Sequence, residues 1–360
     1  MSKPLVVLFG YDSSLFTQKI QHVLRYKQIP YSYVTVPSMM PRPILKDNFN
    51  ATYRKIPMLA INRDIYIDTS IICEALEHRF PESSGSSYRS LYPPTISGAR
   101  NRASIRGMVS YWFDRPLFRA TCGLMPTAVW QSRFGTDRAQ LIGHKLDPDK
   151  LRQKMPEMLS EVDMHCSMLE NMLGDRTSTA ANPWIFDTER PSLADIALYV
   201  QLDWGLKNSH GDYVENLTAG ETRAPGDLTM DPVFNKERYP KLLHWFESVR
   251  SYLDANAAPQ LMTKVDGRDD GAVSTIMQRL KELPITTEIP LLSTPAPAFE
   301  SLDAQNGLVK GASVAIAPND TGKGDATIGT LIAASPEEVV ISPELIDGKS
   351  PAVGDSTQKI

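Results

Sequence analysis

Residues 55–70 read KIPMLAINRDIYIDTS, and two places in this run hold groups whose types and spacing suit ligand binding. Pro57 stands at the mouth of an apolar run that reads as a sheet strand, where a residue without an N–H interrupts the ladder. The bond between Ile56 and Pro57 is expected to be cis, a form that only X-Pro bonds adopt at low cost. That turn aims the N–H and C=O of Ile56 outward, where they can pair with another extended backbone, as in strand addition. About a dozen residues on, Asp68 and Thr69 open a helical run, IICEALEHRF, that stops before Pro81. The first N–H groups and positive dipole end of that helix suit a carboxylate, and Asp68 suits an ammonium group. A peptide whose end carries both charges is the ligand these groups complement.

The elements that must position these groups form a small α/β unit over residues 1–82. Residues 5–9 (LVVLF) are a continuous apolar run, suited to a strand buried on both faces. Phe16, Ile20, Val23 and Leu24 repeat at helical spacing, and residues 31–36 (YSYVTV) alternate as a second strand. PSMMPRP reads as a loop. Met58–Ile61 and Asp64–Ile67 flank Asn62 and Arg63, the signature of a hairpin. Residues 81–94 (PESSGSSYRSLYPP) are a linker by composition, and residues 95–256 read as an all-helical bundle. Leu159, Val162, Cys166, Leu169 and Leu173 make one helical stripe, and Leu242, Trp245, Phe246, Val249 and Leu253 make another. Ser192 and Asp195 before IALYV form a capping box. Residues 290–360 change character again: VAIAP, TIGTLIAA and EEVVIS are short strand-like runs, so a small β-rich module is expected. Its last residues, DSTQKI, look like the start of a further element, so the module reads as incomplete.

Composition narrows the function. The 360 residues are 42% hydrophobic with a formal charge of -4 and a pI near 5.9. That balance argues against a nucleic-acid partner, which calls for a basic field. No apolar stretch approaches the roughly 20 residues needed to cross a bilayer, and no charged-then-apolar leader opens the chain. Cys73, Cys122 and Cys166 are scattered, which suggests reduced thiols in the cytosol rather than a disulfide framework or a zinc site. The six histidines include no HExxH spacing, and no metal is expected. Asp320, Thr321 and Gly322 resemble half of an aspartic-protease signature, and Gly322, Lys323 and Gly324 lack phosphate-loop spacing. Both are read as a hairpin connection.

Together these residues resemble the cytosolic glutathione S-transferase family, in the form of a large fungal-type member with an extra C-terminal module. The resemblance implies a thioredoxin-like N-terminal domain and a glutathione-transferase-type helical bundle. In that family a cis-proline follows the residue that pairs with the cysteinyl backbone of glutathione, as Ile56 and Pro57 would here. An acidic-then-hydroxyl pair then holds the γ-glutamyl group, matched by Asp68 and Thr69. The more usual pair is Glu-Ser, and Ser70 offers a register one residue on. PSLADIAL matches the capping element of the second domain, so the likeness spans residues 5–255.

By the same resemblance, GYDSSLFTQKI places Ser14 where a hydroxyl donates to the glutathione sulfur and favours its thiolate. Ser13 and Tyr11 are alternatives, and the plain reading is that Asp12, Ser13 and Ser14 only cap a helix. The absence of cysteine there argues against the branch that forms mixed disulfides. Lys55, with Arg42 and Lys46, is either a base for the glycine carboxylate or a solvated surface charge. Tyr111, Trp112, Phe118 and Trp130 are candidates for the electrophile pocket, with plain core packing as the alternative. The implied activity is a glutathione-dependent transfer to a small hydrophobic, aromatic electrophile, with a place in secondary metabolism, or a glutathione-assisted isomerisation. Glutathione would be co-substrate or cofactor and the protein a cytoplasmic homodimer without membrane or nucleic-acid partners. The alternative is a non-catalytic binding or scaffold protein of the same fold.

Overall fold

The computed structural model describes residues 4–84, 88–174, 183–218, 223–284, 292, 300–344 and 358–360. The chain opens with β1 (Val6–Gly10), α1 (Leu15–Tyr26), β2 (Tyr31–Thr35), α2 (Pro43–Phe49), β3 (Met58–Ile61), β4 (Asp64–Ile67) and α3 (Thr69–Arg79). β1 runs parallel to β2 and antiparallel to β3, and β3 and β4 form a hairpin turning through Asn62 at φ 55°. This is the expected thioredoxin-like order with one addition: the segment after the prolines is not all loop. Pro43 begins α2, at the helix position where a missing N–H costs nothing.

Side-chain alternation explains why LVVLF reads as a continuous run. Val6, Leu8, Leu59, Ile61 and Tyr33 face one core with Ile20, Val23 and Leu24 of α1 and Leu76 of α3. Val7, Phe9, Val34, Met58, Ala60, Ile65 and Ile67 face a second core on the opposite side. Both faces of the central strands are buried, so no polar alternation survives.

The second core has a cover that the sequence reading lacked, because it assigned no element to residues 257–284. After the helical bundle, β5 (Met262–Val265) pairs parallel with β2, from Tyr31 opposite Met262 to Val34 opposite Val265. α13 (Asp270–Glu282) then buries Val273, Ile276, Met277 and Leu280 against the sheet. Gly267 joins the two: a Cβ there would lie 1.9 Å from the Thr35 carbonyl oxygen, so only glycine allows the approach.

The bundle between them comprises α4 (Arg102–Gly107), a wider π-helical stretch (Met108–Leu117), α5 (Phe118–Cys122), α6 (Thr127–Gln131) and α7 (Arg133–Ile142). It continues through α8 (Pro148–Gln153), α9 (Met155–Gly174), α10 (Leu193–His210), α11 (Glu215–Thr218) and α12 (Pro240–Ala255). The capping box at α10 is present: Ser192 N–H donates to Asp195 Oδ2 at 2.8 Å, while Ala194 N–H donates to Ser192 Oγ at 3.2 Å. The other Asp195 oxygen accepts from Ile185 N–H and from Trp245 Nε1, tying α10 to α12. Leu242, Trp245, Phe246, Val249 and Leu253 are all buried, and so are Val162, Cys166 and Leu169 on α9.

The C-terminal part holds α14 (Glu300–Gln305) and an antiparallel three-stranded sheet of β6 (Ser313–Ile316), β7 (Thr327–Ala334) and β8 (Val339–Pro343). These are the three strand-like runs read from the sequence, and residues 320–324 lie in the β6–β7 hairpin connection. The expected further element at the end is β9 (Gln358–Lys359), which pairs with β8 on one side and with β4 on the other. One sheet results, in the order β5-β2-β1-β3-β4-β9-β8-β7-β6.

All three cysteines are free, and burial pushes the Cys73 and Cys166 thiols up to about 12 and the Cys122 thiol to about 11. Such thiols are packing groups rather than nucleophiles. Among the described residues, no group of His, Cys, Asp and Glu could hold a metal ion, and no helix is long and apolar enough to cross a membrane.

Candidate functional site

Strand register brings the sequence-distant candidates to one end of the sheet. Phe9 pairs with Met58, so Pro57 lies alongside the end of β1, where the turn into α1 carries Ser14. Met58 also pairs with Ile67, so Asp68 follows beside Pro57 on the next strand. Neighbouring strands are about 4.8 Å apart. The β1–α1 turn, residues 55–57 and the start of α3 are therefore neighbours at one end of the sheet. The Ile56–Pro57 peptide bond is cis, as expected. The ladder of β3 starts only at Met58, which leaves the Ile56 main chain outside it.

Ser14 is the N-cap of α1 and is buried. Its Oγ accepts the Thr17 N–H at 3.3 Å, and its own N–H donates to the Tyr11 carbonyl at 3.1 Å. A hydroxyl that accepts in this way still has its proton to donate. Capping and thiol activation, set against one another in the sequence reading, are thus compatible in one side chain. Ser13 is held differently: its carbonyl accepts from Trp204 Nε1 of α10 at 3.0 Å. The Tyr11 hydroxyl accepts from Arg138 of α7 at 3.3 Å, and Arg138 also donates to the Ser38 carbonyl.

Asp68 caps α3 through its Oδ1, which accepts the Ser70 N–H at 2.8 Å, and its backbone takes the left-handed φ of 79°. The carboxylate is exposed while Thr69 behind it is buried. A negative cap at a helix N-terminus of 11 residues leaves the remaining first-turn N–H groups as an anion seat. Behind this seat, Ser70 and Ser110 hydroxyls are 3.0 Å apart, and Lys19 of α1 meets Asp114 at 2.5 Å. Burial raises the Asp114 carboxyl above its usual range although Lys19 pulls against it.

Lys55 pairs with Asp320 of the β6–β7 connection. Arg42 does not share in this pair, which is open to solvent. Arg42 is no surface charge and no spare base: it is buried and donates to the Pro37, Ser38 and Arg54 carbonyls. Burial brings its guanidinium down to about 10. Lys46 is exposed on α2.

Of the pocket candidates, Phe118 packs against α1. Its ring lies 5.0 Å from Phe16 of α1 and 5.9 Å from Trp204, whose indole holds Ser13. Trp112 instead donates from Nε1 to His165 of α9 at 3.0 Å, Tyr111 is 69% exposed beneath Arg115, and Trp130 packs at the edge of the main core. Sequence reasoning missed Trp204 and Arg138 and read Asp320 only as part of a hairpin connection; each lies more than a hundred residues from its partner. A groove of about 1300 Å³ between α2 and β5–α13 is lined by Tyr11, Asp12 and Ser13 of the β1–α1 turn, but not by Ser14, Pro57 or Asp68.

Comparison with known proteins agrees with this layout. Residues 8–84 match the family of the glutathione S-transferase N-terminal domain, and residues 121–258 match a domain of unknown function (DUF7962). Among solved structures, a GST-like protein from Pseudomonas syringae superposes with a TM-score of 0.57 at 20% identity, covering 100% of this chain and 96% of its own. The Tau class glutathione S-transferase MiGSTU from mango (Mangifera indica) gives 0.47 at 16% identity, over 78% of this chain and 100% of its own. Rice GST1 (OsGSTU1), solved in complex with glutathione, gives 0.45 at 18% identity, over 79% of this chain and 100% of its own. No curated protein matched. The fold is glutathione S-transferase-like: a thioredoxin-like domain matching that family's N-terminal model over residues 8–84, a helical domain of the transferase type, and a small C-terminal sheet.

Proposed function

We propose that this protein is a glutathione-dependent transferase acting on a small hydrophobic, aromatic electrophile. The observation that carries the reading is the convergence of Ser14, Ile56 with Pro57, and Asp68 with Thr69 on adjacent strand ends. The residues fit glutathione group by group. Asp68 pairs with the γ-glutamyl ammonium, the start of α3 takes the γ-glutamyl carboxylate, and the Ile56 main chain pairs with the cysteinyl unit. Lys55 is the cation for the glycyl carboxylate.

Glutathione supplies the sulfur nucleophile. Ser14 donates its hydroxyl proton in a hydrogen bond to that sulfur, which stabilises the thiolate and lowers a thiol pKa from about 8.5. The adjacent N-terminus of α1 acts in the same direction. The sulfur lone pair forms the new bond to carbon, and either a leaving group departs with its bonding pair or the carbanion takes a proton from water. Phe16, Phe118 and Trp204 offer an apolar wall beside the reacting atom, which favours an aromatic substrate.

As part of the same proposal, residues 1–82 are the glutathione-binding domain, 95–256 the helical domain and 290–360 the accessory module. Residues 257–284 then belong with the first domain, whose sheet they extend. Cytoplasmic location, a homodimer and a role in secondary metabolism follow from the resemblance alone.

The test is retention on immobilised glutathione followed by turnover with an aryl halide. Ser14→Ala should raise the bound thiol pKa by about one unit, the differential worth of a hydrogen bond to a charged group, read as thiolate absorbance against pH. An unchanged titration moves the role to Tyr11 or Ser13. Retention with no turnover on several electrophiles selects the binding or scaffold reading.

A further inference from the structure

The C-terminal sheet is seated along residues 49–55, the run that leads into Ile56 and Pro57. Gln358 donates to the Phe49 carbonyl at 2.8 Å, and Asn50 donates to the Glu344 carbonyl at 3.0 Å. Thr52 Oγ1 donates to the Ala326 carbonyl at 2.8 Å, and the Tyr53 N–H donates to Thr327 Oγ1 at 3.0 Å. Arg54, almost fully buried, joins Asp137 of α7 at 2.8 Å to Asp325 at 3.5 Å. The β6–β7 connection is pinned from its other side by Gly322, whose N–H donates to the Leu141 carbonyl at 2.8 Å. Gly322 has a φ of 81°, and a Cβ there would lie 2.9 Å from Leu141 Cδ1, so the turn fits closely.

The outcome of this seating is that Asp320 is presented to Lys55. Burial, then Asp68, then Asp320 push the Tyr53 hydroxyl upward in pKa, so both carboxylates lie within electrostatic reach of one phenol. Asp320 also holds the cation proposed for the other end of the ligand.

We propose that Asp320 is a built-in competitor for the ligand's terminal carboxylate at Lys55, through which the C-terminal sheet sets the affinity and end-group specificity of the cleft. This rests on the glutathione reading above. A glycyl carboxylate at Lys55 must take the place of Asp320 or share the ammonium with it against like-charge repulsion. Exposure decides how strong the competition is. The Asp320 side chain is 71% exposed and that of Lys55 34%. An ion pair so wetted shifts an equilibrium by about fivefold at most, so Asp320 weakens binding without closing the cleft. Ligands lacking the terminal carboxylate do not contend with it.

The experiment is calorimetric titration of the full chain and its D320N variant with glutathione and with its glycyl ethyl ester, each repeated in a K55M background. The proposal expects D320N to tighten glutathione binding about threefold to fivefold, leave the ester unchanged, and lose its effect when Lys55 is Met. Equal affinity of wild type and D320N for glutathione overturns the proposal and leaves the glutathione site standing. Equal tightening of glutathione and its ester also overturns it, because carboxylate competition would not be the cause. Failure of every form to bind either ligand removes the glutathione reading and the proposal together.

Discussion

The first sheet meets the rest of the molecule along two seams of opposite character. Toward the helical bundle the seam is closed by buried charge, Lys19 of α1 with Asp114. Behind it, within the first domain, Lys27 pairs with Glu77 of α3, whose carboxylate also accepts the Ser90 hydroxyl and the Leu91 N–H of the linker. Burial draws the Lys27 ammonium down in pKa, and Glu77 holds it up. Toward the C-terminal sheet the seam is made mainly of main-chain and hydroxyl hydrogen bonds, with Arg54 reaching Asp325 at 3.5 Å and an exposed pair, Lys55 with Asp320, at its mouth. Buried ion pairs lock geometry, because losing one partner strands a charge away from water. Wetted pairs exchange partners at little cost. The bundle seam thus fixes the proposed cleft's floor, and the C-terminal seam is where a ligand can contend with the protein.

The largest effect that could break this contrast is at the buried pairs. Glu77→Gln leaves the Lys27 ammonium buried without its anion and should cost about 3–5 kcal/mol in urea unfolding. The double variant with Lys27→Met should recover most of it, since a neutral pair carries no stranded charge. A loss below about 1 kcal/mol would mean that this pair is effectively solvated.

A second, intermediate effect is pH-dependent. His22 of α1 faces Tyr199 of α10 with ring centroids 5.9 Å apart. Burial, Arg25 and Lys207 lower its pKa from 6.5 to about 4. The folded chain thus resists protonation that the unfolded chain accepts, so the contribution is complete above about pH 6.5 and is lost as pH falls toward 4. His22→Phe should flatten the stability profile in that window; parallel profiles for both proteins would contradict the shift. The smallest effect belongs to the other seam, where Asp320→Asn should change unfolding stability by less than about 1 kcal/mol.

Local chemistry explains what was legible in the sequence. Pro57 before an apolar run, Asp68 before a helical run and Ser192 with Asp195 each act within a few residues, so their signals are contiguous. α2 was hidden because its seven residues follow a proline cluster and are too few for a periodic pattern. β5 was hidden because MTKV is four residues with two exposed side chains. Arg42 read as a surface charge because its acceptors are carbonyls, which any sequence supplies. Asp320 lies 265 residues from Lys55, and only the seating of the C-terminal sheet reveals the pairing.

The most direct test of the cleft is a crystal structure of the protein soaked with glutathione. The account predicts the γ-glutamyl group at Asp68 and Thr69, the cysteinyl main chain along Ile56, and the sulfur within hydrogen-bond distance of Ser14 Oγ. Glutathione found instead in the groove between α2 and α13, with Ser14 and Asp68 untouched, would contradict it.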